Sequence, residues 1–195
     1  MYYQKTTSKY LFSGYEKLEK PSFDDMMFCM AAFYKIGGTE KFAKAKYLYK
    51  IHSKGRLASI FALFCLNQNE IDQAVEIVNL DYCLKNNILP KEPVQCNLLL
   101  LCLIKIGQTE LSLKTLEKWS NIASARNKKL KISSEIFKML RASIESGPLK
   151  NMEISLYEPL KKQDFITNLT IEKIVFEPVD WNEKKEQNKN RTKRK

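Results

Sequence analysis

The chain has 195 residues, 44% hydrophobic and 11% aromatic, which suffices for one domain or a short repeat array with a core of its own. Six Gly and six Pro are too few for the turn punctuation of an all-β fold, and long stretches rich in Leu, Lys, Glu, Ala and Ile point to helix. A formal charge of +11, from 33 Lys plus Arg against 22 Asp plus Glu, steers the chain toward polyanions and adds a salt-dependent binding term.

In chain order, the first predicted helix covers 23–36, where Met26, Met27, Met30, Ala31, Phe33 and Tyr34 recur at helical spacing before Gly37-Gly38 stops the run. Thr39 is placed as the cap of a second helix, 40 to about 54, in which Lys41, Lys44, Lys46, Lys50 and Lys54 stand among Phe42, Tyr47, Leu48 and Ile51. A third, about 56–66, breaks at Asn67-Gln68-Asn69. A fourth, 70 to about 80, sets Ile71, Ala74, Val75 and Val78 on one face. A longer connector with Pro90 and Pro93 leads to a fifth helix, 94–106, then the turn Gly107-Gln108 and a sixth helix, 109 to about 122. Beyond it, 133–145 reads as a helix closed by Gly147-Pro148 and 151–162 as a weaker one. Residues 171–179 read as extended, and those after Trp181 as a disordered tail with seven basic and two acidic side chains, leaving a body near +6.

Three turns superimpose: Lys35-Ile36-Gly37-Gly38-Thr39-Glu40, Cys65-Leu66-Asn67-Gln68-Asn69-Glu70 and Lys105-Ile106-Gly107-Gln108-Thr109-Glu110. Each places Gly or Asn, which tolerate the left-handed backbone that ends a helix, ahead of Thr or Asn as a capping residue. Their offsets are 30 and 40 residues, a mean of 35. A period of this size built from two helices is the mark of a solenoid, in which each hairpin buries its apolar face on its neighbours. The expected fold class is therefore all-α: a right-handed α-solenoid of antiparallel helix pairs. It divides into a partial repeat helix over 1–20, three hairpin repeats over 21–122, a helical cap over 123–163 and an extended basic tail over 164–195.

Val94-Gln95-Cys96-Asn97-Leu98-Leu99, followed by Gly107 ten residues after the Asn, resembles the first helix of a pentatricopeptide repeat. The stretches Phe28-Cys29-Met30-Ala31-Ala32-Phe33-Tyr34-Lys35-Ile36 and Ala62-Leu63-Phe64-Cys65-Leu66-Asn67-Gln68-Asn69-Glu70, with Leu113-Lys114-Thr115-Leu116 downstream, are similar to pentatricopeptide repeat proteins of animal mitochondria over roughly residues 20–120. The resemblance implies a mitochondrial RNA-binding protein that takes part in processing or maturation of messenger RNA. It also implies that residues 7–18 are the second helix of a repeat lacking its first, so that the chain is the C-terminal part of a longer protein whose missing segment carries the transit peptide.

Helical repeats read RNA by setting one first-helix side chain per repeat against a base edge while lysines hold the phosphates. Counting ten residues back from each turn gives Met27, Leu57 and Asn97 as base-facing, and of these only Asn97 has both a donor and an acceptor. Lys46, Lys50 and Lys54, at i, i+4 and i+8, form a stripe for phosphates, with Lys41 and Lys44 nearby and Arg56 after the turn. Of Tyr34, Tyr47 and Tyr49, helical spacing assigns at least two to packing. With one histidine, His52, no triad, no Cys/His metal cluster and no phosphate-binding Gly loop, neither an enzyme nor a cofactor is expected. The five cysteines lack paired spacing and read as small core residues of a reducing compartment. The run 98–104 is too short to span a bilayer. The competing expectation is a tetratricopeptide-like adaptor for a protein partner, or an accessory subunit of a ribonucleoprotein assembly.

Overall fold

The computed structural model describes residues 22–86, 88–128, 130–144 and 147–176, and ten helices lie among them. Helix α1 (Phe23–Ile36) starts on a reciprocal cap: Ser22 Oγ accepts from Asp25 N, and Asp25 Oδ2 accepts from Ser22 N at 3.1 Å. Its buried residues, Met26, Cys29, Met30 and Phe33, repeat at i, i+3, i+4 and i+7, which is one face of a helix. Gly37 and Gly38, both at positive φ, turn the chain into α2 (Thr39–Ile51).

Helices α3 (Gly55–Asn67) and α4 (Ile71–Val78) follow, then α5 (Leu80–Lys85), α6 (Pro93–Lys105) and α7 (Thr109–Ala125). After the two-residue strand β1 (Ile132–Ser133) come α8 (Ser134–Ser143), α9 (Pro148–Lys162), the strand β2 (Ile166–Thr167) and α10 (Ile171–Phe176). The 79–92 connector thus contains a helix of its own, separated from α4 by Asn79 in the left-handed region. Four helices end alike. Asn69, Gly107, Asn127 and Asp164 have positive φ, and the next residue's N–H donates to the carbonyl five residues back: Glu70 to Cys65, Gln108 to Leu103, Lys128 to Ala123 and Phe165 to Leu160, at 2.8–2.9 Å. The capping assignment changes accordingly. Thr39 and Thr109 are the first residues of their helices, behind Gly38 and Gln108, and Asn69 ends α3 instead of starting α4.

The packing follows chain order. Helix α1 lies against α2 and α3; α3 against α2, α4 and α6; α6 against α4, α7 and α8; and α9 against α7 and α8. The leading helices α1, α3, α6 and α8 are therefore neighbours in succession. The last pair is tied by buried Glu153, which accepts from Arg141 Nε at 2.9 Å, while the Arg141 guanidinium sits 4.5 Å over the Tyr157 ring. Leu57 and every residue from Ile60 to Leu66 in α3, and from Cys96 to Leu103 in α6, are buried. Each fully buried Leu, Ile or Phe contributes about 1.5–3 kcal/mol of transfer free energy, so these two helices carry the core. Among the described residues no helix is long and apolar enough to cross a membrane.

A helix buried on all sides needs a cover on its fourth side, and here the cover comes from the C-terminal stretch. Residues Ile132 and Ser133 pair in parallel with Ile166 and Thr167, and the chain then turns back so that α10 lies on α3 and α6. The expectation of extended chain over 171–179 is corrected: 171–176 are helical, started by Thr170, whose Oγ1 accepts from Lys173 N at 3.1 Å. The expected partial helix over 1–20 and the tail beyond Trp181 lie outside the described residues.

Candidate nucleic-acid interface

The orientation of α2 is set by its apolar face. Ala45 and Leu48 are buried, Phe42 stands 5.6 Å from the Phe61 ring and 5.2 Å from Phe64, and Tyr49 stacks on Phe61 at 4.9 Å. These contacts turn the opposite face outward. Lys46, Tyr47, Lys50 and Ile51 are all exposed there, with Tyr47 at 63% and Ile51 at 50%. Lys46 and Lys50 stand one turn apart, about 6 Å along the axis. Lys54 is also exposed, but the helix ends at Ile51 and Lys54 flanks α3 in an extended conformation, so the stripe is helical only in its first two members. Among the described residues Lys46, Lys50 and Lys54 make no salt bridge.

Lys41 and Lys44 differ from these three. Both pair with Glu40 Oε1, at 3.0 and 3.3 Å, and their hydrogen bonds hold the Glu40 carboxyl below its ordinary range. Their charge is partly answered on the protein itself. Arg56 is half-buried at the start of α3 and donates from Nε to the Val175 carbonyl at 3.1 Å.

The three residues expected to face bases do not form a reading surface. Asn97 is fully buried: its Nδ2 donates to the Pro93 and Lys131 carbonyls, and its Oδ1 accepts from Ser133 N, each at 2.8 Å. Both amide protons and the carbonyl are thereby used, so Asn97 fastens β1 to α6 and has nothing left for a base. Leu57 is likewise fully buried, and Met27 is partly buried against the core. The causes differ: Leu57 and Asn97 lie on helices packed by neighbours all round, Asn97 also being tied to residues 131 and 133, while Met27 packs in part against the core. A polar residue inside the apolar run 94–104 was itself the signal that Asn97 has a partner within the protein.

Tyr34 and Tyr49 are packing residues; Tyr34 lies 5.8 Å from Phe64 and 5.2 Å from Phe176, and its hydroxyl accepts from Asn67 Nδ2 at 2.9 Å. His52 packs edge-on against Phe23, the ring centroids 4.9 Å apart. Burial pushes the thiols of Cys65, Cys96 and Cys102 up to about 12, which keeps them protonated and unreactive at neutral pH. Among the described residues no three His, Cys, Asp or Glu side chains converge as metal ligands. A cleft between α5 and α7, floored by Trp119, encloses about 100 Å³, room for a few waters.

The feature that sequence reasoning missed is the cover. Ile171, Ile174 and Val175 of α10 are buried, Ile171 N donates to Glu135 Oε2 at 2.8 Å, and Glu172 forms a salt bridge with Lys35. Lys35 Nζ also lies 5.5 Å from the centre of the Phe176 ring. The stretch therefore touches α1, α3, α6 and α8 in turn. No family model, curated protein or solved structure matches the chain.

Proposed function

We propose that this chain is a helical-repeat protein that binds single-stranded RNA through its phosphates, acts by binding without a catalytic step, and stacks its helix pairs as a right-handed solenoid. The observation that carries the reading is the outward face of α2, where Lys46, Lys50 and the largely exposed ring of Tyr47 share the solvent side and Lys54 continues the charge. Lysines answer phosphates and release condensed counterions, while an exposed aromatic ring beside them accepts any base by stacking. The succession of leading helices α1, α3, α6 and α8 supports the solenoid. The resemblance to pentatricopeptide repeats supports a mitochondrial location and a place in messenger RNA processing.

Binding of this kind is largely sequence-independent, because Asn97, the one of the three expected base-facing residues with both a donor and an acceptor, is committed inside the fold. Ultraviolet crosslinking of the full chain to mixed-sequence RNA, followed by peptide mapping, tests the reading. Crosslinks at Tyr47 and in peptides spanning 42–54 are expected; crosslinks confined to α6 and α7 would contradict it. One observation favours a second reading, the tetratricopeptide-like adaptor: the face formed by α3 and α6 already holds a short apolar helix, α10, as such a groove would hold a partner's.

A further inference from the structure

Two cations on the leading helices are held by the C-terminal stretch. Arg56 of α3, two residues after Lys54, gives its Nε–H to the Val175 carbonyl at 3.1 Å, and Lys35 of α1 carries the Glu172 carboxylate in a salt bridge. Glu172 stands toward Lys35 as a phosphate would, an internal anion supplied by the chain itself. We infer that α10 is a built-in competitor of RNA: docking α10 on α3 and α6 occupies Arg56 and Lys35, and binding RNA draws both cations away and loosens α10.

The physical terms favour an exchangeable contact. The Lys35 and Glu172 side chains are 60% and 39% exposed, so the pair is screened by salt and contributes little on its own. A phosphate is a stronger acceptor for a guanidinium than the neutral Val175 carbonyl, because the bond is charge-assisted at both ends. Six residues are too few to hold a helix alone, so α10 keeps its form only while Ile171, Ile174 and Val175 stay buried and its polar anchors remain. Linkage then makes the effect reciprocal: undocking α10 raises RNA affinity by the same factor by which RNA shifts the docking equilibrium of α10. The inference rests on the RNA-binding reading and adds to it a regulated state in which the leading-helix face is closed.

The test uses the full chain, a labelled 20-nucleotide oligouridine and two variants with the same charge change. Glu172→Gln removes the internal anion without touching a core contact, and Glu158→Gln makes the same charge change at an exposed position of α9. Affinity is measured together with amide hydrogen exchange over 171–176, with and without RNA. The expected result is binding at least threefold tighter for E172Q than for E158Q, with exchange across α10 accelerated by RNA in the parent chain. Binding by E172Q where the parent binds none supports the inference equally. Equal affinities for the two variants and unchanged exchange, in a parent that binds RNA, overturn the competitor and leave the RNA reading standing. No RNA bound by any of the three proteins overturns both.

Discussion

Helices α2 and α6 are of equal length, thirteen residues each, and both carry candidate functional residues on sequence grounds, yet they do opposite work. In α6 eight consecutive residues are buried, because α3, α4, α7, α8 and α10 pack around it. In α2 only Ala45 and Leu48 are buried, since α1 and α3 cover one side and the other carries its lysines outward. The lesson concerns what a polar residue means in each setting. On a helix that is apolar all round, an amide is there to satisfy backbone groups of its own protein, as Asn97 does; on an amphipathic helix, cations opposite the apolar face meet solvent or a ligand.

The comparison can be broken most sharply at Asn97. Replacing it with Ala leaves the buried Ser133 N–H without its acceptor and removes the bonds donated to the Pro93 and Lys131 carbonyls, which should cost about 2–5 kcal/mol and lower Tm by roughly 5–15 °C. RNA affinity of the folded fraction should not change. A variant that melts with the parent but alters sequence preference would restore Asn97 as a base reader. Next in size, Tyr47→Ala should leave stability within about 0.5 kcal/mol and weaken binding to single-stranded RNA by about 1–3 kcal/mol, measured by fluorescence anisotropy. An unchanged affinity would remove Tyr47 from the interface.

A smaller effect separates the two helices by pH. The thiols of Cys96 and Cys102 in α6, with Cys65 in α3, sit near 12 in the folded chain against an ordinary value of 9.0, so the unfolded chain loses these protons first. Stability is then fully present below pH 9 and declines as pH rises from about 9 toward 12. Urea melts at pH 7 and pH 10 should show the loss, and hydrogen exchange should place it in α3 and α6 ahead of α2, which has no cysteine.

The hairpins were legible because the signals are local. Gly37, Asn67-Gln68-Asn69 and Gly107 mark helix ends wherever they occur, and the apolar spacing of α1 gives its buried face directly. The lysine face of α2 was legible for the same reason, although His52 and Ser53 leave the helix and take Lys54 off its line. What escaped is non-local. The β1–β2 pairing joins residues 34 apart, the Arg56 contact to Val175 joins residues 119 apart, and neither leaves a periodic trace. Without these pairings the outward side of α3 and α6 reads as open and Leu57 and Asn97 read as available, whereas Asn97 is fastened to residues 131 and 133, α10 lies on α3 and α6, and both side chains are buried.

The central claim, that RNA is held by phosphates at the exposed face of α2, is tested most directly by the salt dependence of affinity. The parent chain and the triple variant Lys46→Gln, Lys50→Gln, Lys54→Gln would each be titrated with oligouridine from about 50 to 200 mM salt. Each phosphate that the protein no longer neutralises lowers the slope of log affinity against log salt by about 0.7 for a single strand, so the variant should bind more weakly at every salt concentration, with a slope shallower by about 2. Equal affinities at low salt and parallel slopes would contradict the account and leave the lysines as a solvated surface.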